Sequence, residues 1–211
     1  KENQKFDVIC TGYLGSLEQI DIVSEIIDRF GGEGVMVIVD PVMGDGGKLY
    51  TRFTEEFVSA MRRLVRRADV VLPNLTEAAA LLEIPYCEDP EIEPMARALT
   101  ALGAKRAVIT GVQDGENRLG AAGYDSFSGV FSRTLSEKLP GSYFGTGDIF
   151  AAVLAGALAK GAPLDQALQL AVDFVSECIR VTLSDEERRN RCTSFELALG
   201  TLAQWAQQIG G

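Results

Sequence analysis

The sequence contains no histidine, and its four cysteines, Cys10, Cys87, Cys178 and Cys192, form no CxxC pair. These absences exclude a zinc site and a Ser-His-Asp catalytic triad. Any metal is therefore expected to be a hard cation such as Mg²⁺, which carboxylates and water would hold. We expect the cysteines to be reduced and buried, because scattered cysteines of this kind are typical of proteins from reducing compartments.

Basic residues and long apolar runs are also scarce. Lys and Arg number 20 against 30 Asp and Glu, the formal net charge is −10, and no basic cluster alternates with aromatic residues. This balance argues against a nucleic-acid partner. The longest uncharged apolar run, residues 149–159, is too short to cross a bilayer, and the start of the sequence shows no signal pattern. We therefore expect a cytoplasmic protein without a membrane partner.

Alternating strands and helices dominate what the sequence does contain. Continuous apolar segments at residues 6–10, 35–39, 69–72 and 107–110 are separated by segments with helical patterns. This order predicts an α/β fold with a mostly parallel sheet, right-handed crossovers and helices on both faces. Residues 119–124 and 130–134 predict an antiparallel hairpin near the sheet edge. With 211 residues, 46% of them hydrophobic, we expect a single domain over residues 1–211.

A glycine-rich turn precedes the apolar helix that begins near residue 146. It consists of Gly145, Thr146, Gly147 and Asp148. The free N–H groups and the dipole at such a helix start favour an anion. Asp148 beside an anion site suits a base that deprotonates a hydroxyl attacking a phosphoryl group. The alternative is that Asp148 only favours the start of the helix.

Polar residues follow the predicted strands, where ligands of open parallel sheets bind. The candidate side chains are Tyr13, Asp40, Asp45, Asn74, Glu77 and Thr110. Each has a simpler structural interpretation. Asp40 and Asp45 could only form turns, Glu77 could complete the helix cap of Asn74, and Tyr13 could only pack.

The carboxylates of Asp40, Asp45 and Glu77 would repel one another in one crevice unless a cation were present. Magnesium with a nucleotide supplies that cation. The sequence contains neither a Walker A motif nor a kinase-type Gly-x-Gly-x-x-Gly loop. The phosphate site is therefore assigned to the turn that begins at Gly145.

Four motifs, in this order and spacing, resemble the pyridoxal kinases of the ribokinase-like superfamily. They are Thr11-Gly12-Tyr13, Asp40-Pro41-Val42-Met43-Gly44-Asp45, Pro73-Asn74-Leu75-Thr76-Glu77-Ala78 and Gly145-Thr146-Gly147-Asp148. The resemblance covers nearly the whole chain. It implies a ribokinase-like fold, a homodimer, and ATP-dependent phosphorylation of the 5′-hydroxymethyl group of pyridoxal, pyridoxine or pyridoxamine.

The same resemblance implies a role for each matched residue. Asp148 is the catalytic base, and the backbone of Gly145, Thr146 and Gly147 forms the anion hole with it. Asp40, Asp45 and Glu77 organise Mg²⁺, its waters and the ATP phosphates. Asn74 and Thr110 match nucleotide contacts, and Tyr13 matches a contact to the vitamin. Whether a monovalent cation assists stays open.

Pyridoxal kinases carry an additional amino-terminal portion with the first strands, a substrate-binding serine and a lid-like segment. None of it precedes Lys1, so we expect those strands to be absent from this sequence. The alternatives are a hydroxymethylpyrimidine kinase, a sugar kinase of the same superfamily, and a nucleotide-binding regulatory module that has lost activity. Thr11-Gly12-Tyr13 argues against the pyrimidine kinase, and Asp148 argues against the regulatory module.

Overall fold

A computed structural model describes residues 5–184 and 193–208. The strands are β1 (Val8–Thr11), β2 (Met36–Val39), β3 (Gly44–Asp45), β4 (Lys48–Leu49), β5 (Val70–Val71), β6 (Arg106–Asp114), β7 (Arg118–Asp125) and β8 (Val130–Glu137). The helices are α1 (Leu17–Phe30), α2 (Glu55–Val65), α3 (Leu75–Leu82), α4 (Ile92–Ala101), α5 (Thr146–Ala159), α6 (Leu164–Ser184) and α7 (Leu199–Gln208), with a short 3-10 helix at Phe195–Leu197. In this part of the chain, no helix has the length and hydropathy of a membrane span.

The main sheet has the strand order β1-β2-β5-β6-β7-β8, and β3 pairs with β4 in a separate antiparallel hairpin. The pairs β1 with β2, β2 with β5 and β5 with β6 are parallel. Strands β7 and β8 are joined by the turn at residues 126–129 and end the strand order. The mostly parallel α/β sheet and the hairpin at its edge are therefore confirmed.

Side-chain caps fix where the first two long helices begin. The Ser16 side chain accepts a hydrogen bond from Gln19 N, and Thr54 accepts one from Phe57 N. These bonds satisfy backbone donors that have no partner within the helix. Helix α1 ends at Gly31, whose N–H donates to Ile27 O at 2.8 Å. Both helices therefore begin at a side-chain cap.

Strands β2, β5 and β6 form the centre of the core. All residues of β5 and all but one residue of β2 are buried, as are the three alanine, valine and isoleucine residues 107–109 of β6. Their continuous apolar sequences follow from this position, since a strand covered on both faces has no solvent-facing side. The sequence prediction of buried strands is confirmed for these three.

Strand β1 differs from the prediction. It begins at Val8, and its residues are mostly half-buried or exposed. This exposure follows from its position at the end of the strand order, where it has a neighbouring strand, β2, on one side only. The expected burial of the thiols is also wrong in part. Cys178 is buried, whereas Cys10 and Cys87 are exposed. Cys192 lies outside the described residues.

The chain divides into two compact units. The first contains Lys1–Gly111 and Ala122–Phe131, and the second contains Val112–Ala121 and Ser132–Gly211. Helices α1 to α4 belong to the first unit, and α5, α6 and α7 belong to the second. Within the second unit, α5 and α6 pack closely along their apolar faces. A single domain over residues 1–211 stays a prediction.

Candidate functional site

The parallel strands of the first unit bring four predicted site residues to the carboxyl edge of the sheet, which is the side where these strands end. Parallel pairing aligns Thr11 with Val39 and Val39 with Val71, so the residues that follow β1, β2 and β5 leave the sheet at the same side. These include Tyr13, Asp40 and Asn74. The carboxyl edge of a parallel sheet is where ligands of this architecture bind.

Thr110 joins this edge in a way that the sequence did not predict. Strand β6 continues to Asp114, so Thr110 lies inside the strand and not at its end. Its parallel pairing nevertheless stops there, since Thr110 forms an isolated parallel bridge with Asn74 and its N–H donates to Pro73 O at 2.9 Å. The next residue, Gly111, has φ of +74°. Thr110 is therefore the last residue of β6 to pair along the parallel edge.

Tyr13 belongs to an aromatic cluster. Its side chain is 56% exposed, and its ring centroid lies 5.8 Å from that of Phe53. Phe53 is buried and stacks on Phe57 at 4.1 Å, and the exposed Tyr50 ring lies 6.3 Å from Phe53. An exposed ring with buried aromatic support offers a face on which a planar ligand can stack. Phe53 and Tyr50 were not predicted from the sequence, because no local pattern links them to Tyr13.

The Thr11 hydroxyl is a second feature that the sequence did not reveal. Thr11 is buried, and its Oγ1 is one of two buried side-chain polar atoms without a hydrogen-bond partner among the described residues. Such a group costs about 1–3 kcal/mol relative to a paired one. It lies two residues before Tyr13 in the chain.

Glu77 is held by the backbone. Its Oε1 accepts from Met43 N at 3.0 Å and its Oε2 from Asn74 N at 2.9 Å, while Asn74 Oδ1 accepts from Glu77 N at 2.9 Å. The bonds between Asn74 and Glu77 form a capping box at the start of α3. Glu77 therefore does complete the helix cap of Asn74, as the simpler structural interpretation expected. A role of Glu77 at a metal stays a prediction.

Burial raises the pKa of Glu77 to about 8, and the charge of Asp40 acts in the same direction. The N–H bonds from Asn74 and Met43 oppose this shift, because they stabilise the ionised carboxylate. Only 3% of Glu77 is exposed, which explains why desolvation dominates. A cation brought to this neighbourhood would favour the ionised form.

Asp45 occupies the β3–β4 hairpin, where it is exposed and its Oδ1 accepts from Gly46 N at 2.8 Å. Partial burial raises the pKa of Tyr50, and the charges of Glu77, Asp45 and Asp40 raise it further. The three carboxylates therefore share one electrostatic neighbourhood.

These carboxylates do not form a ready-made metal cage. Among the described residues, no three His, Cys, Asp or Glu side chains are grouped so that they could hold a metal ion. Mg²⁺ commonly takes one or two carboxylates and completes its octahedron with waters and substrate phosphates. The exposed Asp45 and the half-buried Asp40 fit such a partial ligand set.

The second unit holds the other predicted residues at the start of α5. Gly145 is the N-cap residue, with φ of 86° and ψ of 0°, and it contributes no side-chain cap. The Thr146 hydroxyl donates to Tyr143 O at 3.3 Å, and Asp148 is exposed in the first turn. A helix start whose donors are not covered by a capping side chain is suited to an anion.

Asp148 also lines an apolar cavity within the second unit. The cavity has a volume of about 470 Å³ and is lined by α5, α6, the 3-10 helix and α7, including Ile149, Phe174 and Trp205. Apart from Asp148, Lys160 is the only charged residue among the described residues that line the cavity. Phosphate groups therefore suit the first turn of α5 better than this cavity.

Comparison with known proteins gives a consistent result. Residues 2–191 match the model of the phosphomethylpyrimidine kinase family. The pyridoxal kinase of Arabidopsis thaliana is 32% identical over 85% of this chain, and the hydroxymethylpyrimidine/phosphomethylpyrimidine kinase of Bacillus subtilis is 31% identical over 86%. The chain spans 60% and 66% of the length of these two relatives.

A solved structure agrees with these relatives. A candidate phosphomethylpyrimidine kinase from Bacteroides thetaiotaomicron, crystallised with pyridoxal, is 38% identical and superposes with a TM-score of 0.88. The match covers 95% of this chain and 72% of that one. The fold is thus that of the ribokinase-like kinases, as the resemblance implied.

Proposed function

Because the chain belongs to the phosphomethylpyrimidine kinase family, we propose that it transfers the γ-phosphoryl group of ATP to the 5′-hydroxymethyl group of pyridoxal, pyridoxine or pyridoxamine. The observation that carries the proposal is the first turn of α5, where an exposed Asp148 follows the left-handed Gly145. Simple anion binding has no use for a carboxylate at that point. A base that acts beside a phosphoryl group does.

In the proposed reaction, the hydroxyl oxygen of the vitamin forms a bond to the γ-phosphorus, and the bond from that phosphorus to the bridging oxygen of ADP breaks. The hydroxyl proton passes to the carboxylate of Asp148. The backbone N–H groups of Gly145, Thr146 and Gly147 stabilise charge on the phosphoryl oxygens during transfer. Positioning and charge stabilisation account for most of the acceleration in this class of reaction.

The edge of the first unit supplies the proposed metal and nucleotide contacts. Asp45 and Asp40 are assigned as ligands of Mg²⁺, with Glu77 acting through water, because both Glu77 oxygens already accept backbone N–H groups. When bound, Mg²⁺ neutralises charge on the ATP phosphates. Asn74 and Thr110 are assigned to the nucleotide.

The vitamin is the favoured substrate because Thr11-Gly12-Tyr13 resembles a motif of the pyridoxal kinases, whose tyrosine lies by the pyridine ring. The exposed ring of Tyr13, supported by Phe53, suits the pyridine ring of a B6 vitamer. A pyrimidine would stack on the same ring, and the family match and the Bacillus subtilis relative favour hydroxymethylpyrimidine as the second candidate. A homodimer, which the resemblance implies, stays a prediction.

The substrate can be identified by assaying the intact protein with ATP and Mg²⁺ against pyridoxal, pyridoxine, pyridoxamine, hydroxymethylpyrimidine and ribose. We expect the highest kcat/KM with one of the three B6 vitamers. A higher kcat/KM with hydroxymethylpyrimidine would move the assignment to the second candidate. Nucleotide binding without turnover on any substrate would support a regulatory module instead.

A further inference from the structure

The hairpin formed by β3 and β4 is fastened to the first turn of α3. Met43 N donates to Glu77 Oε1 at 3.0 Å, Asn74 Nδ2 donates to Gly44 O at 2.8 Å, and Gly47 N donates to Thr76 Oγ1 at 2.9 Å. These bonds join segments about 30 residues apart in the chain. The hairpin is therefore held both where it begins and at its turn.

The hairpin is closely packed at Gly44 and Gly47. Gly46 and Gly47 have φ of 56° and 77°, as a two-residue hairpin turn of the favoured hand requires. A Cβ atom on Gly47 would lie 2.7 Å from the Tyr86 ring, and one on Gly44 would lie 2.4 Å from Lys48 O. The residue immediately before this turn is Asp45, whose carboxylate is exposed.

Thr76 is the residue of α3 that reaches the turn. It is only 6% exposed, and the capping box at this helix start is formed by Asn74 and Glu77. The Thr76 hydroxyl therefore has no part in capping and accepts from Gly47 N instead. Because threonine is branched at Cβ, few rotamers are open to it in a helix, which gives the hydroxyl a defined direction.

We infer that Thr76 is a positioning residue whose hydroxyl fixes the turn of the β3–β4 hairpin and thereby the direction of the Asp45 carboxylate. This inference rests on the proposed function, in which Asp45 is a ligand of Mg²⁺. Thr76 itself touches neither metal nor substrate. It acts through the Gly47 N–H, two residues beyond Asp45.

The inference is tested with Thr76→Val, which keeps the shape and removes the hydroxyl, and with Thr76→Ser, which restores it. The matched control is Thr100→Val, because the Thr100 hydroxyl donates to Arg97 O within its own helix. Hydrogen–deuterium exchange of the intact protein reports on the Gly46 and Gly47 amides. The Mg²⁺ concentration that gives half-maximal phosphorylation reports on the metal site.

For Thr76→Val, we expect faster exchange at the hairpin turn and a rise of about three- to tenfold in the half-maximal Mg²⁺ concentration, the range that corresponds to one lost hydrogen bond. The KM for the vitamin should stay unchanged. Thr76→Ser should restore both values, and Thr100→Val should match the wild type.

Wild-type exchange and wild-type Mg²⁺ dependence in Thr76→Val would overturn the inference. If Thr76→Val does not fold, Thr76→Ala takes its place in both measurements, with the same expected results. If the wild-type protein phosphorylates nothing, the proposed function fails, while the exchange data still decide whether Thr76 holds the turn.

Discussion

Asn74 and Thr110 are partners in a parallel β-bridge, and Thr110 N donates to the carbonyl of Pro73, the residue before Asn74. The resemblance to pyridoxal kinases implied a nucleotide contact for each of them separately. The bridge shows that they stand opposite each other where the parallel ladder between β5 and β6 ends. Residues from two strands thus share one edge because the strands pair in register.

The first prediction concerns the hydrogen bond that the side-chain amide of Asn74 donates to Gly44 O. Asn74→Asp keeps an acceptor for Glu77 N but replaces the amide that donates to Gly44 O. A carboxylate oxygen would then face the carbonyl oxygen of Gly44, so we expect a loss of about 1–3 kcal/mol in the free energy of unfolding. Urea unfolding without nucleotide measures it. Thr54→Asp is the control, since Thr54 caps α2 through its acceptor and should tolerate the change.

A gain or no change in stability for Asn74→Asp would show that the bond to Gly44 contributes nothing. The control separates this outcome from a general effect of placing aspartate at a helix start. Both variants add one negative charge at an N-cap position.

The second prediction concerns Gly145, the N-cap residue of α5, and Gly156 within that helix. Gly145 has φ of 86°, so Gly145→Ala should lower the free energy of unfolding by about 1–2 kcal/mol. It should also reduce kcat, because the first-turn N–H groups would move. Gly156 lies inside the helix with open space at its Cβ, and Gly156→Ala should raise stability by about 0.5–1 kcal/mol. Thermal unfolding of both variants checks the opposite signs.

The third prediction concerns pH. Although burial raises the pKa of Asp125, hydrogen bonds from Arg106, Ser128 and Phe127 outweigh it, and the pKa is lowered. A carboxylate with a lowered pKa in the folded state stabilises the protein above its ordinary pKa. That contribution is lost as the pH falls through the folded-state value. The wild type should therefore lose stability from about pH 5 downward.

Asp125→Asn should be less stable than the wild type at neutral pH and should lose less on acidification. Urea midpoints between neutral and acidic pH measure the difference. Asp21→Asn, at an exposed position of α1, serves as the control and should follow the wild-type curve. Parallel curves for Asp125→Asn and the wild type would refute the assigned role of Asp125.

Much of the fold could be predicted because the signals are local. Ser16 and Thr54 cap helices within three residues of themselves, and the continuous apolar segments of β2 and β5 indicate strands that are buried on both faces. The position of β1 was not predictable from its own residues. Its exposure depends on which strands stand beside it, and that is decided by the whole sheet.

The residues of the candidate site also fall into those that the sequence could predict and those that it could not. The polar residues at the strand ends and the glycines of the Gly145 turn could be recognised from the sequence, because each belongs to a short local motif. The bonds of Glu77 to Met43 and of Thr76 to Gly47 span 34 and 29 residues. Nothing in either segment alone indicates its partner, so these contacts required the structure.

The central claim is that Asp148 is the base of an ATP-dependent kinase. The most direct measurement is the turnover of pyridoxal by the intact protein and by Asp148→Ala, together with the ATP dissociation constant of each. A base acts mainly in the transition state, so we predict that kcat falls by about two to four orders of magnitude, with nearly unchanged ATP affinity. Unchanged turnover in Asp148→Ala would contradict the account.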